Sequence, residues 1–102
     1  MGVAGRERGG LMDGPTIIHG AIVDSWVEWA GPTRRESRLV LQVATPERPG
    51  DLMIVEASAS LVPDRGWLED LGENLCHGSP VAAEGRMNLA GQLRATRIEL
   101  AR

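Results

Sequence analysis

Three tryptophans and eleven arginines carry most of the chemistry that this 102-residue chain can offer a ligand. There is no Phe, no Tyr and no Lys, so every flat aromatic surface is an indole and every permanent side-chain cation a guanidinium. An indole face is a broad apolar platform, and a guanidinium is a planar fork of donors matched to phosphate or carboxylate. Their spacing groups them. Trp26 and Trp29 close an apolar run, Arg34, Arg35 and Arg38 follow at once, and Arg86, Arg94 and Arg97 stand near the C-terminus. From Arg86 to Arg102 four arginines face Glu99 alone, a locally positive stretch in a chain of net charge −3. These eight residues are the candidates for holding a planar, anionic ligand. The competing reading is that arginines on outward faces of edge strands only solvate them and guard against aggregation. The exclusive use of arginine also fits a coding bias.

Other chemistry finds little support. Glu69 and Asp70 are neighbours, which does not set two carboxylates across a substrate. Cys76 and His77 are adjacent, with nothing to orient the imidazole as a base. The glycine patterns lack the strand-to-helix setting and the lysine of a phosphate loop. One cysteine precludes an internal disulfide or a thiolate zinc site, and His19 and His77 lie in different elements without a third ligand. The expectation is a protein that is not an enzyme and carries no metal or cofactor.

Length and composition set the frame. The chain suits one domain with a modest core of Val, Leu, Ile, Ala and Met. The negative balance argues against coating nucleic acid by bulk charge, though not against a local basic face. No apolar run approaches the ~20 residues of a membrane span, and the N-terminus lacks the apolar core of a signal peptide. A reduced, cytoplasmic setting is expected. Residues 1–15 hold five glycines and too little apolar surface to pack, which predicts a flexible arm ahead of a domain over 16–102.

Taken in order, the chain alternates where strands should be. Thr16 to Trp29 has apolar residues on both parities, the mark of a long strand that bends to serve two sides, with Gly20 the natural bend. Trp26 and Trp29 differ in parity, so one can be buried while the other is exposed. Ala30 to Ser37 reads as a loop, Arg38 to Thr45 as a second strand, Pro46 to Asp51 as a polar turn and Leu52 to Leu61 as a third strand. The period then changes. Pro63-Asp64 starts a short helix within 63–76, with Trp67 or Leu68, Leu71 and Leu75 on its apolar side and Glu69, Asp70 and Glu73 solvated. A turn at His77 to Pro80 leads into a strand over Val81 to Met87, a hairpin loop at Asn88 to Gln92, and a last strand. The three-residue step from Ala95 to Ile98 breaks the alternation once, as a bulge would.

Three strands, a helix and two strands is the order of the five-stranded Greek-key OB barrel with its helix between strands three and four. Four stretches also resemble the bacterial single-stranded DNA-binding protein family. Residues 17–25, IIHGAIVDS, are like its opening strand, and residues 38–45, RLVLQVAT, like its second. Residues 71–87, LGENLCHGSPVAAEGRM, are similar to its helix end, a turn and then Val-x-x-Glu-Gly-Arg-Leu, and residues 94–100, RATRIEL, to its closing strand. The resemblance spans about residues 16–101. It implies base stacking on Trp26 or Trp29, backbone contacts from the arginines named above, and work in replication, recombination or repair. The family spreads aromatic platforms over several strands, whereas here strands two to five have none, and the loop between strands two and three is short.

Two classes of function follow. One is binding of single-stranded DNA with little sequence preference, by a homo-oligomer that also meets a protein partner. The other is an OB barrel serving only as an interaction or oligomerisation module. Small barrels leave edges that symmetric pairing covers, and the first strand is the expected interface element.

Overall fold

The structure, a computed structural model, describes residues 14–30 and 36–101, and the chain is numbered as in its sequence. Five strands form a closed barrel: β1 (Thr16–Glu28), β2 (Arg38–Thr45), β3 (Arg48–Ser58), β4 (Pro80–Met87) and β5 (Leu93–Leu100). Their order around the barrel is β1-β2-β3-β5-β4, with β4 returning to β1. A single 3₁₀ turn, Ala59–Leu61, and helix α1, Arg65–Gly72, lie between β3 and β4. This is the expected OB barrel with its helix after the third strand. The predicted 1–15 arm falls almost wholly outside the described residues, as do Arg34 and Arg35.

Inward positions fill the core. Ile18, Ile22, Leu39, Leu41, Val43, Val55, Leu93 and Ala95 are buried from the strands, and Leu68 and Leu71 close one end from α1. The inward parity of β1 changes once. Ile18 and Ile22 face the core, the register with β2 breaks between Ile22 and Asp24, and Ser25 faces it next. The register break therefore falls at Val23, three residues past Gly20. Gly20 meets a different demand, since a Cβ there would lie 2.3 Å from the Ala44 carbonyl oxygen of β2. Buried Ser25 donates from its hydroxyl to the Leu71 carbonyl at 2.7 Å, tying β1 to the last turn of α1.

The expected bulge in the last strand is present. Glu84 pairs with Arg97 and Gly85 with Ala95, leaving Thr96 as the extra residue. Its effect is to keep Arg94, Thr96 and Arg97 all outside while Leu93 and Ala95 stay in.

Three elements differ in their bounds. β3 begins at Arg48 and ends at Ser58, because only Pro46 and Glu47 form the turn and the chain leaves the sheet early to reach the helix. Ser58 caps the 3₁₀ turn by accepting from the Ser60 amide, and Ala59 donates to the Ser37 carbonyl at 2.9 Å. β1 stops at Glu28, leaving Trp29 beyond it. α1 ends at Gly72, so Leu75 is exposed instead of packed. Asn74 turns left-handed with φ 59°, and Cys76 takes the inward place.

Candidate functional site

Strand pairing sets the predicted residues beside one another. On the outward face, Trp26 of β1 stands opposite Val40 of β2, and Val40 opposite Glu56 of β3. Glu56 pairs with Arg94 of β5, and Arg94 with Arg86 of β4. One register row thus crosses all five strands, an indole at one end and two guanidinium groups at the other. With strands roughly 4.8 Å apart, it follows a path of about 19 Å around the barrel wall. Trp26 and Val40 stand two residues from the end of β1 and the start of β2, while Arg94 and Arg86 flank the β4–β5 hairpin loop at 88–92.

The hairpin loop is a rigid border. Asn88 accepts through its side-chain oxygen from the Ala90 and Gln92 amides, at 3.0 and 2.9 Å, and Gly91 supplies the positive φ of 81°. The backbones of β4 and β5 press together beneath the arginines. A Cβ on Gly85 would sit 2.0 Å from the Arg94 carbonyl oxygen, so the residue before Arg86 has to be glycine.

The next outward position along each strand adds a charged network. Glu28 pairs with Arg38, and Arg38 with Ser58. The Glu28 carboxylate accepts from Arg38 Nε at 3.0 Å through one oxygen and from Trp26 Nε1 at 3.3 Å through the other. Arg38 Nη1 also lies 3.7 Å from Glu56, whose side chain is only 15% exposed. The hydrogen bond from Arg38, then that from Trp26, hold the Glu28 carboxyl below its ordinary pKa. The same bond with Glu28, then the charges of Glu28 and Glu56, push Arg38 up. Among the described residues, Arg94 makes no ion pair.

Of the eight predicted residues, Trp26, Arg86 and Arg94 lie on the row. Trp29 and Arg38 lie beside it, with Trp29 58% exposed and Trp26 half-buried. Arg97 stands apart. The Thr96 bulge carries it to the sector of Ile17, His19 and Glu84, where it pairs with Glu99 at 3.0 Å. Arg34 and Arg35 fall outside the described residues. Sequence reasoning missed Glu28, Val40 and Glu56 as members of this surface. Glu28 was within reach, since it shares the face of Trp26 two residues on. Glu56 and Val40 join only through pairing partners distant in sequence. Among the described residues, no group of three or more His, Cys, Asp or Glu side chains could hold a metal ion, and no helix is long and apolar enough to cross a membrane.

No family model matches the sequence, and a search of curated proteins found no match. Solved structures do match in shape. The mitochondrial single-stranded DNA-binding protein Rim1 of S. cerevisiae superposes with a TM-score of 0.55 at 18% identity, over 87% of this chain and 94% of that one. The dimeric N-terminal domain of PriB from Thermoanaerobacter tencongensis gives 0.53 at 18% identity, over 86% and 96%. The S. pombe Stn1–Ten1 complex gives 0.52 at 19% identity, over 86% of this chain but 58% of that one. At such identities the likeness is one of fold. The barrel is the OB-fold.

Proposed function

We propose that this chain binds single-stranded nucleic acid, DNA foremost, with little sequence preference, in replication, recombination or repair. The observation that carries the reading is the row from Trp26 through Val40 and Glu56 to Arg94 and Arg86. Oligonucleotides dock on OB barrels across the strand 2–3 face, between the loops that follow strands one and four, and a row that crosses β2 and β3 and ends at the β4–β5 loop supports that mode. Stacking and phosphate neutralisation are its two components, and neither reads sequence. Two of the structures with this shape are a mitochondrial single-stranded DNA-binding protein and a dimeric PriB domain, which supports both the ligand class and a homo-oligomer. The Stn1–Ten1 complex supports a protein partner. In this reading residues 16–102 are the binding domain, working as a non-enzymatic, cytoplasmic protein.

Titration of tryptophan emission with an oligothymidylate tests it. Three to five arginine–phosphate contacts give a log–log salt slope of roughly −2 to −3.5, at about −0.7 per neutralised phosphate. The expected result is quenching at low salt that weakens along that slope. Absence of quenching and of a mobility shift at low salt overturns the reading. The interaction-module reading then stands, favoured by one observation, the two carboxylates Glu28 and Glu56 within the surface.

A further inference from the structure

The surface described above contains its own competitor. Glu28 sets one carboxylate against both kinds of group that a nucleic acid would use. Its Oε1 takes the Nε–H of Arg38 at 3.0 Å, and its Oε2 takes the indole N–H of Trp26 at 3.3 Å. Glu56 stands 3.7 Å from the remaining guanidinium nitrogen, Nη1. Arg38 Nη2 also donates to Glu28 Oε1, so all three nitrogens face carboxylate oxygen and the donors a phosphate would use are taken. The arrangement is reversible, because the Glu28 and Arg38 side chains are 48% and 51% exposed and water can replace either partner. Glu56 is held under its neighbours and cannot leave as easily.

We propose that Glu28 is an affinity-setting residue that occupies a backbone-phosphate position in the free protein and is displaced when a single strand binds. The inference rests on the nucleic-acid reading and says how that site is tuned. In the free state Glu28 neutralises Arg38 and fixes the edge of Trp26 through its N–H. Phosphate entry exchanges one anion for another on Arg38. That guanidinium then contributes little to counterion release, since its charge was already met within the protein. Arg94, which makes no ion pair among the described residues, contributes in full. The device keeps binding weak and easily reversed, as a protein that must release its strand requires.

Glu28→Gln keeps the shape and an acceptor oxygen while removing the charge. Oligothymidylate titrations of the parent chain, Glu28→Gln, Arg38→Ala and the double variant decide the matter. Glu28→Gln should bind about three- to tenfold tighter at low salt, with a slope steeper by about 0.7, one further phosphate neutralised. Arg38→Ala alone should leave the slope nearly unchanged, because the parent's guanidinium is already neutralised, while weakening binding through the two carboxylates it leaves uncompensated. In the Glu28→Gln background the same change should remove the whole gain in slope. That non-additivity is the signature of the pair. Equal affinity and slope for parent and Glu28→Gln overturns the inference and leaves the nucleic-acid reading standing. Weaker binding by Glu28→Gln at every salt concentration, with the slope unchanged, overturns it too, since Glu28 would then be a brace for the indole. No binding by any of the four chains removes the nucleic-acid reading itself.

Discussion

Trp26 and Trp29 offer a ligand different amounts of surface. Trp29 lies past the end of β1 and is 58% exposed, so its indole is open for stacking and supports little of the fold. Trp26 is half-buried, faces outward opposite Val40, and spends its N–H on Glu28. Val40 is only 3% exposed on that outward side, so Trp26 belongs to a small apolar contact outside the barrel. Replacing Trp29 by Ala should cost about 1–3 kcal/mol of binding and leave the salt slope unchanged, because stacking releases few ions. Replacing Arg94 by Ala should do the reverse, flattening the slope by about 0.7 and weakening binding to all sequences alike. Measured slopes that respond to Trp29 and ignore Arg94 would place the ligand elsewhere.

At the scale of the elements, glycine positions decide how closely strands pass. β4 and β5 meet backbone to backbone at Gly85, where an added methyl finds the Arg94 carbonyl and not a yielding side chain. Gly85→Ala should lower the unfolding free energy by more than about 2 kcal/mol and disturb the pairing that sets Arg86 beside Arg94. Chemical denaturation, read together with oligonucleotide affinity, checks both effects; a variant as stable as the parent contradicts the packing described. Much of this layer was legible in the sequence. Strand order, the helix and the Thr96 bulge all leave a trace in local period, since a three-residue step between inward positions is visible in the string itself. The ends of β3 and α1 were not. Pro46 to Asp51 looks like a turn by composition, yet tertiary pairing draws Arg48 into the sheet. Leu75 continues the helical period, yet Asn74 in a left-handed turn sends it outward. The site divides the same way. Residue types suited to stacking and charge were plain, but the row is a property of register between strands distant in sequence, which no local pattern contains. Arg97 shows the cost, chosen with Arg94 for its charge and carried elsewhere by one extra residue.

For the whole molecule, the acidic balance and the arginine-bearing face point to separated duties. The sector of Ile17, His19 and Arg97 lies on β1, β4 and β5, away from Trp26, and Ile17 is 59% exposed there. This agrees with the proposed homo-oligomer built through the first strand. Light scattering at micromolar concentration should report a particle larger than the 11.0 kDa chain, and a lone chain at that concentration contradicts it.

The barrel closes through an uneven seam. β1–β2, β2–β3 and β4–β5 pair along most of their lengths, whereas β3 and β5 meet in parallel through Val55 with Leu93 and Glu56 with Arg94. So short a join opens at lower energy than the ladders on either side, and opening it unrolls the cylinder without unfolding the hairpins. Amide hydrogens along this join should therefore exchange with solvent sooner than those between β1 and β2. The join also lies under the centre of the row, so a strand lying across Glu56 and Arg94 would bridge it from outside. Deuterium uptake at residues 54–57 and 93–95 should slow when an oligonucleotide is added, the ligand acting as a hoop on a barrel that breathes between two staves.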